Sequence, residues 1–239
     1  MTTESSAQSR RATRAVFFDV DFTLIQPGPA FQGVGYRDFC ATHGVTVDPG
    51  AFDRAVSVAA VALEPQIAEG GVYDPEIFVR YTERIIEGMG GSGPGVLHAA
   101  RDIYDQWASC HHFEMYEEVP EVLRALHASG IKIGLISNTQ RSLTAFQTHF
   151  ALEGLFHVTV SSFDHGYMKP HRSIFESALR QVSAQPDEAV MVGDSLPADI
   201  EGARRLGMRA VLVCRSPHSP SCPDDVPVIR SLRELPALL

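Results

Sequence analysis

The sequence predicts an α/β fold: a parallel sheet with helices on both faces, interrupted by a largely helical insertion. Three observations predict it. Short apolar, β-branched runs recur along the chain and stop at polar or charged residues. Helical patterns fill most of the gaps between these runs over residues 119–214. Between the first run and the second, residues 30–112 hold helical patterns and no apolar run. Alternating strands and helices imply parallel pairing with both sheet faces covered.

The runs come in order. Residues 15–18 (AVFF) stop at Asp19, and residues 131–136 (IKIGLI) stop at Ser137 and Asn138. Residues 156–160 are followed by polar sequence as far as Lys169 and Pro170. Residues 189–192 (AVMV) stop at Gly193 and Asp194, and residues 210–213 (AVLV) form the fifth run. Runs of this length and composition read as strands buried on both faces. Pro120 opens a helical pattern that closes at Gly130, residues 173–182 place Ile174, Phe175, Ala178, Leu179 and Val182 on one face, and Pro197 opens a third pattern ending at Gly207.

The insertion reads as four helices, at 36–43, 52–63, 76–87 and 96–109. A crossover between parallel strands needs only a dozen or more residues, so the excess argues for an inserted helical domain. Its glycine-rich stretch 88–95 reads as a flexible loop and not a nucleotide phosphate loop, because no Gly-Lys-Ser/Thr follows. Residues 216–227, with four prolines, read as a surface loop. The domain reading is therefore a disordered leader at 1–14, an α/β core from 15–29 and 113–239, and the helical insertion at 30–112.

Composition narrows the function. Across 239 residues, Lys and Arg total 20 and Asp and Glu 29, a formal charge of −9. Nucleic-acid affinity rests on clustered positive charge, so no nucleic-acid partner is expected. The most apolar long stretch spans only residues 55–63, far from the about 20 a membrane-spanning helix requires; no membrane partner is expected either. Cys40, Cys110, Cys214 and Cys222 are widely spaced with no CxxC pair, which gives neither a disulfide scaffold nor a zinc ribbon and points to a reducing cytoplasm. Either a monomer or a homodimer fits.

In open parallel sheets, ligands bind outside the carboxyl ends of the strands. Asp19 with Asp21, Ser137 with Asn138, Lys169, and Asp194 with Asp199 all fall at or after such ends. Carboxylates brought together there repel, which raises their pKa values. A divalent cation removes the conflict, and magnesium suits an all-oxygen site that leaves room for phosphate oxygens. One carboxylate can then attack phosphorus while another serves as general acid and base. Lys169 offsets phosphate charge. The Ser137 hydroxyl and the backbone N–H groups around Asn138 are suited to the nonbridging oxygens.

These motifs (Asp19-Val-Asp21-Phe-Thr23, Ser137-Asn138, Lys169-Pro170 and Gly193-Asp194 with Asp199) resemble the four ordered motifs of the haloacid dehalogenase-like (HAD) hydrolases. The resemblance spans residues 15 to about 214 and implies a Rossmann-like core with an inserted α-helical cap of the C1 type. It implies Asp19 as nucleophile and metal ligand, Asp21 as acid/base with its backbone carbonyl on the metal, and Asp194 as the third protein ligand of Mg2+. It further implies that Thr23 shapes the turn and belongs with Ser137, Asn138 and Lys169 on the substrate-binding side, that Lys169 steadies the nucleophile, and that Asp199 orients its neighbours from behind. Two positions depart from the family pattern: Phe22 stands where glycine is usual, and His171 where an aspartate commonly follows Lys-Pro.

The expected activity is Mg2+-dependent hydrolysis of a small soluble phosphate ester through an aspartyl-phosphate. Family members that displace halide lack the second acid, so Asp21 favours phosphoryl transfer over a 2-haloacid dehalogenase. A sugar-phosphate mutase and a non-catalytic phosphate-binding regulator remain alternatives. Outside the motifs, adjacent His111 and His112 read as hinge-side or surface residues and Trp107 as core of the insertion. Residues 27–35 and 111–118 read as hinges. Arg80, Tyr81 and Arg84 lie on an inserted helix and read equally well as surface groups or as contacts for an anion.

Overall fold

The computed structural model describes residues 12–215 and 222–239. Most of the leader and half of the proline-rich loop lie outside the described residues. The sheet has six parallel strands in the order β5-β4-β1-β6-β7-β8. They are β1 (Ala15–Phe18), β4 (Lys132–Ser137), β5 (Val158–Ser161), β6 (Ala189–Gly193), β7 (Arg209–Val213) and β8 (Val228–Ile229). The first five coincide closely with the apolar runs. β1 and β6 are buried along their whole length and sit mid-sheet, as expected for strands packed on both faces.

Register sets the site. Phe18 lies beside Leu135 of β4 and beside Val192 of β6. One step further, the Asp19 N–H bonds the Val192 carbonyl at 2.9 Å. Asp19 therefore leaves the sheet level with the ends of β4 and β6, close to Ser137, the last residue of β4, and Asp194, the first after β6.

Two short strands escape the sequence reading. β2 (Ile25–Pro27) and β3 (Phe113–Met115) pair antiparallel, with Ile25 opposite Met115. This ribbon is the base from which the insertion leaves and returns, so the stretches expected to be hinges are partly ordered strand. Between them run α1 (Gly33–Thr42), α2 (Phe52–Glu69), α3 (Pro75–Gly88) and α4 (Gly95–Gln106). α2 continues past the exposed Pro65 to a Gly70 cap with φ 57°. Asp74 accepts from the Glu76 N–H and Pro75 occupies the first turn, a strong start for α3. The glycine-rich connection is anchored at both ends, where the Asp48 N–H bonds the Met89 carbonyl and a Cβ on Gly95 would sit 2.2 Å from the His43 carbonyl oxygen, and is exposed between them over residues 92–94.

The remaining helices cover the sheet: α5 (Val119–Ala128), α6 (Leu143–His149), α7 (Ser162–His165), α8 (Arg172–Val182) and α9 (Gly202–Arg204). The helix expected after Pro197 begins as a wide π-turn over Leu196–Glu201, with the Ser195 carbonyl accepting from both Asp199 and Ile200. Single π-turns cluster at functional sites. No helix among the described residues is long and apolar enough to cross a membrane.

Candidate active site

Lys169 is the hub. Its ammonium is almost completely buried (2% exposed), 2.5 Å from Asp19 Oδ1 and 2.6 Å from Asp199 Oδ1. Burial opposes its charge, but the two carboxylates win and hold its pKa above the usual lysine value. Lys169 is placed by Asn138, whose Oδ1 accepts from the Lys169 N–H at 2.7 Å while its amide donates to the Lys169 carbonyl at 3.0 Å. Both ends of the Asn138 side chain are thereby used on the lysine backbone. The backbone N–H groups around Asn138, expected to meet nonbridging oxygens, are not drawn on by this pair of bonds.

Asp19, Asp194 and Asp199 bring carboxylate oxygens within 4.8 Å of one another. Asp199 is spoken for: Oδ1 takes the lysine and Oδ2 accepts from the Ser195 N–H at 3.0 Å. Gly193 makes this possible, because a Cβ there would lie 2.2 Å from Asp199 Oδ2. Burial pushes the Asp19 carboxyl up to about 7, with Asp199 and Asp21 adding to the rise and Lys169 opposing it. Burial likewise drives Asp194 well above its usual range, followed by the charges of Asp19 and Asp199. Three carboxylates against one ammonium leave a formal charge of −2, which a divalent cation would match. The donors are all oxygen and the two acids not fully committed are Asp19 and Asp194, so the residues present fit Mg2+.

Asp21 stands apart from this cluster. Its carboxylate binds Arg141, Nη1 to Oδ1 at 2.8 Å. Arg141 is the largest fully buried side chain among the described residues. Its Nη2 donates to the Trp107 carbonyl at 2.8 Å, and its guanidinium lies 4.2 Å above the Phe113 ring. It ties Asp21 at once to the end of α4 and to the ribbon. Sequence reasoning missed Arg141, and its one available signal was its place four residues after Ser137.

Ser137 ends β4 and is buried beside Ser161 of β5. Thr23 is fully buried and its hydroxyl has no hydrogen-bond partner. Thr23, expected on the substrate-binding side and as the residue that shapes the turn, sits under the turn, where its carbonyl accepts from Arg215 at 2.8 Å. Phe22 adopts φ 60°, a left-handed conformation that glycine takes without cost, which accounts for glycine being usual there. His111 packs edge-on against His149, and the His112 carbonyl accepts from Gly28 beside the ribbon.

A cavity of about 240 Å³ separates the insertion from the core. Asp21, Phe22, Asn138, Thr139 and Gln140 line it from the core; the insertion lines it with Tyr36, Phe78, Tyr81 and Trp107 among others. Trp107, expected as core of the insertion, does both jobs. It packs on Phe31 at 4.6 Å and Phe113 at 4.9 Å and also faces this space. Arg80 is held by Asp74 at 3.7 Å, outside the lining, whereas Tyr81 belongs to it.

Comparison with known proteins agrees with this geometry. The model of the haloacid dehalogenase-like hydrolase family matches residues 79–213. The chain belongs to that family. It is accordingly a hydrolase. A glyceraldehyde 3-phosphate phosphatase from Methanopyrus kandleri is 30% identical over 221 residues, covering 90% of this chain and 91% of that protein. The haloacid dehalogenase-like hydrolase domain-containing protein 3 of Bos taurus is 27% identical, covering 96% and 94%. In fold, the magnesium-bound HAD-hydrolase YfnB of Bacillus subtilis superposes with a TM-score of 0.71 at 18% identity, covering 95% of this chain and 99% of that one.

Proposed function

We propose that this HAD hydrolase is a Mg2+-dependent phosphomonoesterase acting on a small soluble phosphate ester. The observation that carries the reading is the buried Lys169 bridge between Asp19 and Asp199, with Asp194 in the same cluster and Asp21 two residues beyond Asp19. Halide displacement has no use for an acid at position 21, and here that acid is held by a buried arginine. The phosphatase name of the Methanopyrus relative supports the same class.

Asp19, Asp194 and the Asp21 backbone carbonyl would hold Mg2+, which when bound draws charge from the transferring phosphoryl group. Asp19 attacks phosphorus and forms an acyl-phosphate bond. The bond from phosphorus to the ester oxygen breaks, and Asp21 gives its proton to the departing alkoxide. Asp21 then takes a proton from water as that water attacks phosphorus. The bond to Asp19 breaks, inorganic phosphate leaves and Asp19 is restored. Lys169 keeps Asp19 aimed and offsets phosphate charge, Ser137 and the N–H groups after it bind nonbridging oxygens, and Asp199 holds Lys169. The insertion acts as a cap that excludes bulk water and selects the leaving group. The cytoplasm is the proposed compartment, on the grounds of the scattered free cysteines.

The test is phosphate release with Mg2+ by wild type and Asp19→Asn. The variant is expected to lose about a thousandfold or more in kcat, and EDTA is expected to silence the wild type reversibly. Comparable release by the variant would overturn the assignment.

A further inference from the structure

We infer that the leaving group of the substrate is uncharged and apolar, carrying a ring of about benzene size, and that it sits in the cavity between insertion and core. This deepens the phosphatase reading and rests on it. The cavity meets the reactive edge at Asp21, the residue that would protonate the leaving oxygen, so what lines the cavity meets the leaving group.

That lining is aromatic. Phe22, Tyr36, Phe78, Tyr81, Tyr104 and Trp107 surround it, and apart from Asp21 no charged side chain does among the described residues. Several of its polar groups already have partners within the protein. The Tyr73 and Tyr104 hydroxyls bond each other at 2.5 Å. Gln140 donates to the Tyr104 carbonyl at 3.0 Å, Thr82 donates to the Phe78 carbonyl at 3.0 Å, and the Thr139 hydroxyl accepts from the Arg141 N–H. A polyol entering this space would give up water for few replacement partners, a loss that a buried polar group recovers only in part. A second anionic group would meet no cation, since Arg141 is paired with Asp21. An apolar ring gains on both counts, through burial and through edge and face contacts with the lining.

Size points the same way. A dry cavity of about 150 Å³ accommodates benzene, and the 240 Å³ here leaves room for the short link to the phosphate. Phe78 and Tyr104 lie nearly parallel, 6.3 Å between ring centres with an interplanar angle of 12°, so both turn their rings to the cavity in one orientation.

The experiment compares esters whose leaving groups are all primary alkoxides, which removes intrinsic reactivity as a cause. 2-Phenylethyl phosphate, glycerol 3-phosphate and glyceraldehyde 3-phosphate are assayed with Mg2+, with 2-phosphoglycolate as the ester whose leaving group carries a carboxylate and Asp19→Asn as the blank. The expected kcat/KM for 2-phenylethyl phosphate exceeds that for glycerol 3-phosphate by at least about tenfold, and phosphoglycolate is poorest. Phe78→Ala is expected to shrink that ratio severalfold, and 2-phenylethanol to compete with substrate where glycerol does not. Equal or better turnover of the polar esters by wild type overturns the inference while leaving the phosphatase reading standing. No release above the Asp19→Asn blank from any ester overturns the phosphatase reading, and the inference with it.

Discussion

On the sheet side of the cavity, Asp19, Asp194, Asp199 and Lys169 crowd into a buried cluster whose atoms are fixed by backbone register and by each other. On the facing side, α3 and α4 offer rings, and the Tyr104 hydroxyl of α4 is turned to that of Tyr73 just before α3. The first wall is costly to build, because it holds like charges out of water. The second costs nothing electrostatically and is free to vary in shape. On the proposed reading the contrast separates two tasks: the sheet edge breaks the bond to phosphorus, while the insertion selects what is attached to the phosphate. Asp21 and Arg141 sit on the seam between them.

The sharpest way to break this division is Asp21→Asn. If the acid belongs to chemistry and not to the slot, kcat falls by about a hundredfold or more for polar and apolar esters alike, measured by phosphate release. A loss confined to apolar esters would move Asp21 to the other wall.

Cation addition comes next. A carboxyl whose folded pKa is raised binds more protons folded than unfolded. Asp19, pushed up to about 7, and Asp194, pushed up well beyond its usual range, therefore give a metal-free protein that loses stability as pH rises from about 4 through 7. Mg2+ needs both acids ionised, so its stabilisation grows over the same interval. At a hundredfold excess over Kd the gain is about 2.7 kcal/mol, or a Tm rise of about 5–10 °C. Thermal scans at about pH 5.5 and pH 8, with and without Mg2+, are expected to show the larger rise at the higher pH.

Arg141→Lys keeps the charge but loses the fork that reaches both Asp21 and the Trp107 carbonyl. The expected result is a fall of about tenfold in kcat with KM for the ester little changed, and a steeper pH profile that wild type does not share. An unchanged kcat would make Arg141 a purely structural tie. The smallest effect is expected from Phe22→Gly, which relaxes the turn but removes a ring from the cavity. We expect kcat/KM for 2-phenylethyl phosphate to fall about fivefold and Tm to move by less than about 3 °C.

The sheet wall could be read from sequence because each strand is an unbroken apolar run and each ends abruptly in a charged or polar residue. The period breaks where the chemistry begins, so Asp19, Ser137 and Asp194 stand out. The ribbon could not be read: Ile25–Pro27 and Phe113–Met115 are three residues each, one with a proline, too short for any alternation to register. The insertion's helices were legible, but its cavity was not. Phe78, Tyr81 and Tyr104 follow the same helical spacing whether they pack against a neighbour or face open space. Arg141 was invisible for another reason. An arginine in a loop is ordinarily solvated, and only the coordinates bring an aspartate from position 21, a carbonyl from 107 and a ring from 113 around it.

Phe22 carries a consequence for engineering. Its backbone belongs to the segment that holds Asp21, held at φ 60°, while its ring lies 6.4 Å from that of Trp107 across the gap. A chimera that grafts a relative's helices onto this sheet would face a phenylalanine shaped for a different roof. Swapping substrate preference by transplantation thus requires exchanging position 22 along with the graft, even though that position lies in the core and not in the transplanted piece.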